Sequence, residues 1–315
     1  MNLSSPFSEI SQIKKSTMEN KSFKKRKFIP GDSWLYYRIF SGIKTSDKIL
    51  VDIILPISDF LLEKEMISKW FFIRYRDPHN QIRVRFRLNR KEFLSEIVNL
   101  LNNRLKEYIE QDIIWKIQMD TYVRELERYG FENIELSESI FSFDSKMILK
   151  FLLFAGGDEN EKLRWMFGLK AIDIFLTDFN FDINSKLELI TILRNGFGKE
   201  FSEDKYLRKQ LEKKFRSNRA LLTDLLSVKE KNDDINKQLN KIILLRSNGI
   251  KKTVEQIISL RETNRLNLNY YDLLGSYLHM TVNRLFRINQ RLHELVLYDF
   301  LKRYYTSEIA RKKYN

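Results

Sequence analysis

Six arginines and one histidine are the residues of this chain best suited to chemistry. Beyond a predicted hairpin turn at Asp77-Pro78-His79-Asn80, the run Gln81-Ile82-Arg83-Val84-Arg85-Phe86-Arg87-Leu88 alternates apolar and basic residues. That period of two puts Arg83, Arg85 and Arg87 on one face of a strand. Arg74 and Arg76 from the preceding strand, and Arg124 from the next, are expected to join them. Like charges side by side on a sheet repel, so an anion bound among them would relieve the face. The planar fork of a guanidinium suits a carboxylate held by two hydrogen bonds. A plainer arrangement fits the pattern as well: a solvated face whose arginines pair with Glu125 and Glu127.

His279 lies in Ser276-Tyr277-Leu278-His279-Met280-Thr281-Val282-Asn283-Arg284. On a helix, Asn283 sits one turn beyond it on the same face and could hold the imidazole in one tautomer, as a general base requires. A hydrogen-bonded structural histidine would occupy the same place. His79, beside a turn proline, and His293, near Glu294 and Arg291, read as surface residues. With three histidines, no cysteine and no HExxH or paired-His spacing, disulfides, thiolate nucleophiles and zinc drop out as readings, and no cofactor is expected. No P-loop, serine-hydrolase elbow or dinucleotide fingerprint occurs, and Gly156-Gly157 reads as a helix break.

The elements that must hold these groups follow from periodicity. Trp34-Leu35-Tyr36-Tyr37-Arg38-Ile39-Phe40 reads as a strand closed by Ser41-Gly42. A helix capped by Thr45, Ser46 or Asp47 follows, with Pro56 complicating its later turns. Trp70–Tyr75 and Gln81–Leu88 make the hairpin, and Leu94, Ile97, Leu101, Leu105 and Tyr108 form one helical stripe. A further strand is expected over about Trp115–Val123. From about Ser142 the pattern turns helical through Met147–Phe154, Glu161–Leu176, Lys186–Leu193 and Leu207–Leu226. A polar loop is expected at Lys229–Gln238, with helices resuming near Thr253. The fold class is therefore α+β: a small mixed αβ sheet layer over about 30–140, then a mainly helical part over about 141–315. Residues 1–29, ending near Lys24-Lys25-Arg26-Lys27, read as a flexible basic lead-in to one domain over 30–315.

The chain has 315 residues, a net charge of +14 and 43% hydrophobic residues. Such a surface attracts anions, although abundant lysine also produces it without function. No apolar run reaches the roughly 18 residues that span a bilayer, and no apolar signal core follows the basic N-terminus. A cytoplasmic protein without membrane association is expected. Direct nucleic-acid binding is disfavoured, because the basic residues lack an RNA-recognition motif with its aromatic spacing.

Four blocks in order carry a resemblance. They are Trp34-Leu35-Tyr36-Tyr37; Phe72-Ile73-Arg74-Tyr75-Arg76-Asp77-Pro78 with Ile82-Arg83-Val84-Arg85; Tyr122-Val123-Arg124-Glu125-Leu126-Glu127-Arg128-Tyr129-Gly130; and Leu278-His279-Met280-Thr281-Val282-Asn283-Arg284. From about Ser33 onward the chain resembles the C-terminal, glutamate-eliminating domain of class I lanthipeptide dehydratases, which thiopeptide pathways carry as a separate protein. The resemblance implies a lyase. It would remove glutamate from glutamylated Ser or Thr of a ribosomally made precursor peptide, leaving dehydroalanine or dehydrobutyrine, after a separate tRNA-dependent enzyme has added the glutamate. The same resemblance implies His279, Arg124 and one of Arg83 or Arg85, with Arg85 preferred, as catalytic residues. Arg83, Arg74, Asn283 and Arg284 would bind substrate. A homodimer is compatible with it. Phe131 stands where family members commonly carry a second glycine, so the turn after Gly130 is expected to differ.

Two other functions fit the same scaffold. Pyridine synthases of thiopeptide pathways join two dehydroalanines and expel the leader peptide, but that reaction has no glutamate for the arginines to clamp. A non-catalytic scaffold would bind a peptide through the basic surface alone.

Overall fold

The structure, a computed structural model, describes residues 24–156, 161–227 and 234–314. Its centre is a four-stranded antiparallel sheet of order β3-β4-β2-β5, built from β2 (Trp34–Ser41), β3 (Ile67–Arg76), β4 (Asn80–Leu88) and β5 (Ile114–Met119). The hairpin forms where its alternation places it, with Phe71 opposite Arg85 and Ile73 opposite Arg83. Between β2 and β3 run α1 (Thr45–Ile49), a wider π-helical stretch (Leu50–Ile54) and α2 (Leu55–Glu63). Pro56 falls in the first turn of α2, where its missing N–H costs least.

Two expectations change in this half. The strand expected over Trp115–Val123 is two strands, because Asp120 accepts the backbone N–H of Thr121 at 2.7 Å and so competes with the ladder. β6 (Tyr122–Val123) leaves the main sheet and pairs with β1 (Lys27–Phe28). The expected lead-in therefore does not extend to residue 29: Phe28 is buried and stacks on Tyr122. Residues 1–23 of that lead-in lie outside the described residues.

The helical part comprises α3 (Leu94–Glu110), α4 (Leu126–Tyr129), α5 (Ile134–Ala155), α6 (Glu161–Asp178), α7 (Ile183–Glu200), α8 (Lys205–Leu226), α9 (Asp234–Glu262), α10 (Tyr270–Leu285) and α11 (Gln290–Tyr314). Gly156 ends α5 in a left-handed conformation (φ +66), the helix break its sequence announced. Helix α9 starts at Asp234 rather than near Thr253, so most of the expected polar loop within the described residues is helix. Leu239, Ile242, Ile243 and Ile250 are buried on one stripe while the Lys and Asn positions between them face outward. Residues 228–233 lie outside the described residues. Sheet and helices share one continuous core of buried apolar side chains.

Strand β3 is an edge strand, and the helices satisfy its outward backbone. Trp70 N–H donates to Ser142 Oγ and Phe72 N–H to Ser145 Oγ, both at 3.2 Å, from α5. Arg74 N–H donates to Asn283 Oδ1 at 3.0 Å, and Asn283 Nδ2 returns a bond to Arg74 O at 2.9 Å. Arg284 Nε donates to Phe72 O at 2.8 Å. A free edge is a liability in water and a cost in a core. Here polar side chains two strand residues apart close it, which locks α10 against the sheet.

Candidate active site around Arg85 and helix α10

Arg85 is only 8% exposed and has no carboxylate partner among the described residues. Its guanidinium carbon lies 4.3 Å from the ring centre of Tyr36, 4.9 Å from Tyr122 and 5.2 Å from Phe71, a cage of π faces. Its Nε and Nη1 are buried without a hydrogen bond. The cavity they line, of about 40 Å³, is walled by Tyr122, Tyr129, Met280 and Arg284 among others. Two further donors there are unused: Arg284 Nη2 and the Tyr129 hydroxyl. Burial pushes the Tyr129 phenol up to about 12, so it keeps its proton near neutrality. Buried donors without acceptors cost free energy. These converge from β4, α4 and α10 on a space the size of one carboxylate group.

Local sequence explains the convergence. Arg85 faces the cavity because the strand period sends Val84 and Phe86 to the other side, where both are fully buried. Tyr129 ends α4, and Gly130 follows with φ +78, where an L side chain is strained and a Cβ would come within 3.0 Å of Leu268 Cδ1. The single glycine suffices for the turn, since Phe131 follows it with its side chain partly exposed. Met280 and Arg284 share a face of α10, one helical turn apart.

The other arginines do not share this cavity. Arg74 aligns with Ile82, not with Arg83, and so projects from the opposite face of the sheet. There it donates to Ser46 Oγ, Arg284 O and Asp47, which makes it a buried structural residue rather than a member of the arginine face. Arg83 stacks on Tyr75 with its guanidinium carbon 3.4 Å from the ring centre and donates to Gln81. Between Arg83 and Arg85, only Arg85 lines the cavity. Arg87 lies over Trp34. Neither the crowded cationic face nor its pairing with Glu125 and Glu127 forms: Glu125 pairs with Arg128 and Glu127 with Arg26, while the strand arginines rest on aromatic rings.

Arg124 is 1% exposed and is held by Glu138 in a bidentate pair, Nε to Oε1 and Nη2 to Oε2, both at 2.7 Å. Its Nη1 donates to Lys25 O. It is an internal tie, not a free clamp, yet it bears on the cavity indirectly, because Tyr122 donates to the same Glu138 at 3.0 Å.

His279 precedes Met280 on α10. Its Nδ1 lies 2.8 Å from Oε2 of Glu294, which is 1% exposed. Asn283, expected to hold this imidazole, is spent on the backbone of Arg74. A carboxylate can only accept, so the pair puts the Nδ1 proton toward Glu294 and leaves Nε2 able to take a proton. No described residue bonds Nε2, and the side chain is 21% exposed. Glu294 also accepts from Tyr298 at 3.1 Å and lies 3.5 Å from Arg291. Sequence reading missed Glu294. The signal was present: only Phe286–Asn289 separate α10 from α11, so His279, seven residues before that turn, and Glu294, five after it, can meet across the two helices. His293 is not a surface residue either, but stacks on Phe286 at 3.8 Å. His79 is exposed, beside Trp115.

No helix among the described residues is long and apolar enough to cross a membrane. The chain is similar to the nisin biosynthesis protein NisB of Lactococcus lactis subsp. lactis, 26% identical over 296 residues that cover 91% of this chain and 27% of that protein. It spans about a quarter of the length of the curated relatives it matches. Its fold is similar to the tRNA-dependent lantibiotic dehydratase MibB from Microbispora sp. 107891, with a TM-score of 0.70 at 21% identity across 91% of this chain and 29% of that one. A pyridine synthase, TbtD from thiomuracin biosynthesis, shares the fold with a TM-score of 0.60 at 13% identity, across 88% and 99% of the two chains. The sequence profile of the lantibiotic biosynthesis dehydratase C-terminal family matches residues 34–305, and the chain belongs to that family.

Proposed function

We propose that this chain is a peptide lyase that removes glutamate from glutamylated Ser or Thr side chains of a precursor peptide by β-elimination, leaving dehydroalanine or dehydrobutyrine. The observation that carries the reading is the set of unused donors of Arg85, Arg284 and Tyr129 around a carboxylate-sized cavity. In the reaction His279 Nε2 takes the Cα proton. The electrons of that C–H bond form the Cα–Cβ double bond, and the Cβ–O bond breaks with its pair going to the departing glutamate carboxylate. Arg85, Arg284 and Tyr129 hold that carboxylate, where preorganised donors favour developing negative charge. Glu294 orients the imidazole and stabilises its protonated form. Arg124 supports the site through Glu138 and Tyr122 rather than by contact.

The substrate must arrive already glutamylated, so a tRNA-dependent glutamylating activity supplies it, in the cytoplasm where charged tRNA is available. The catalytic unit in this reading is residues 30–315 together with β1, and the N-terminal segment that ends in Lys24-Lys25-Arg26-Lys27 recognises the leader peptide or the glutamylating partner. The test is mass spectrometry of a synthetic glutamylated peptide incubated with the protein. Loss of glutamate with the leader retained is the expected result. An unchanged mass would overturn the reading, and loss of the leader from a dehydroalanine peptide would replace it with pyridine synthesis.

A further inference from the structure

A second, larger cavity shares no lining residue with the one at Arg85. It is an open groove of about 1110 Å³ between the end of α7, α8 and the second half of α11. Its floor is a buried ion network. Arg194 donates to Asp299 at 3.0 Å and to Glu203 at 2.7 Å, Arg303 donates to Asp299 at 2.7 Å, and Arg208 lies 3.5 Å from Glu203. Glu212, the remaining carboxylate of the lining, pairs with Arg216. Every acid in the groove is thus already occupied. Lys199, Arg219 and Lys302 line it as well, and none of them pairs with a described residue. The groove therefore presents unspent positive charge above a fixed, neutralised base.

We infer that this groove binds an extended acidic peptide segment. Its volume exceeds the range of about 300–1,000 Å³ usual for small-molecule pockets, which favours a chain-like occupant. Carboxylates are the anions that fork-shaped guanidinium groups and flanking hydroxyls recognise side-on, and Asn195, Ser202, Thr306 and Ser307 supply polar groups along the walls. A single-stranded nucleic acid would want exposed rings on which to stack, whereas the one aromatic lining residue, Phe215, is buried.

A relay of side-chain contacts links the groove to His279. Gly198 and Lys199 line it, and the next residue, Glu200, accepts from Arg291, which contacts the Glu294 that holds His279. An acidic segment seated there would be the flank of the peptide whose modified residue reaches His279, a step that rests on the lyase reading.

Fluorescence anisotropy with a labelled peptide of alternating aspartate and serine tests the binding claim. The aspartate peptide should bind at least roughly tenfold more tightly than its asparagine counterpart, and more tightly than an oligouridylate of equal charge, with affinity falling as salt rises. Lys199→Glu, Arg219→Glu and Lys302→Glu together should abolish the difference, and the three changes to Gln should reduce it. Equal binding of the two peptides, tighter binding of the oligouridylate, or unaltered binding by the folded triple variants would each overturn the inference. A second arm separates it from the lyase reading. Joining the acidic segment to a short glutamylated substrate should lower KM roughly tenfold with kcat unchanged, and the triple variant should lose that gain while processing the short substrate normally. Binding without any elimination would leave the groove standing and the lyase reading fallen; elimination with no KM gain and no acidic binding would do the reverse.

Discussion

A guanidinium enclosed by Tyr36, Phe71 and Tyr122 has exchanged water for ring faces, and the exchange leaves two of its nitrogens without acceptors. Such a site stores a cost that an anion repays on binding. Tyr129 offers the sharpest test of that idea. Its hydroxyl has no partner to lose, so Tyr129→Phe should leave stability unchanged or raise it by up to about 1 kcal/mol in denaturant unfolding. If the hydroxyl meets the departing carboxylate, the same change should lower kcat/KM for elimination by roughly tenfold or more. A loss of stability with unchanged kcat/KM would remove Tyr129 from the site. His279 is tested through its partner. Glu294→Gln keeps the shape but removes the charge that steadies a protonated imidazole, and elimination should slow by roughly ten- to a hundredfold. A rate equal to that of the unaltered protein would show that His279 does not act through Glu294.

Between the elements, the decisive contacts are those that seal β3 and those that hold the β1–β6 pair. Arg124 reaches from the end of β6 to Glu138 on α5, with both partners 1% exposed. Breaking a buried pair on one side strands the other charge and costs about 3–5 kcal/mol, whereas replacing both by apolar residues is often neutral. Arg124→Met should therefore destabilise strongly, and Arg124→Met with Glu138→Met should recover most of the loss in urea unfolding. A double variant no more stable than the single one would contradict this role. The contrast with Arg85 shows what sequence can convey. Alternation in β4 identified which arginines share a face, whereas the short turn between α10 and α11, which brings His279 to Glu294, went unread. Neither pattern distinguishes an arginine that meets a glutamate from one that meets only rings, because the difference arises from α5 and β6, distant in sequence. Arg74 lies on the other face from the one its spacing predicts, for a related reason. The hairpin register, not the spacing within its own strand, decides which face it shares with β4. Asn283 and Arg284 lie side by side in a block that reads as chemical, yet Asn283 serves the strand edge alone, while Arg284 serves the edge with Nε and the cavity with Nη2.

Across the molecule, one carboxylate joins the sheet part to the helical part. Asp47, at the start of α1, accepts from Arg74 of β3, from Arg164 of α6 at 2.7 Å and from Arg287 beyond α10 at 2.6 Å. Burial opposes ionisation of this group, but the three guanidinium groups outweigh it and hold Asp47 well below the usual carboxylate range. The sign of the linkage follows. With its pKa depressed in the folded state, Asp47 binds fewer protons folded than unfolded at acid pH, so its contribution is fully present above the ordinary value of about 4 and is lost as pH falls below it. Asp47→Asn removes the charge while leaving three buried or half-buried arginines facing it. Near pH 7 it should lower stability by several kcal/mol, on the order of 3–5 as for a broken buried pair. Denaturant unfolding from about pH 7 down to about pH 3 then separates this site from other acids. The gap between the two proteins should narrow steadily below about pH 4, because the unaltered protein loses what the variant never had. A gap that stays constant across that window would mean that the protonation of Asp47 is not what weakens the junction in acid, and that the arginines around it are held by other partners.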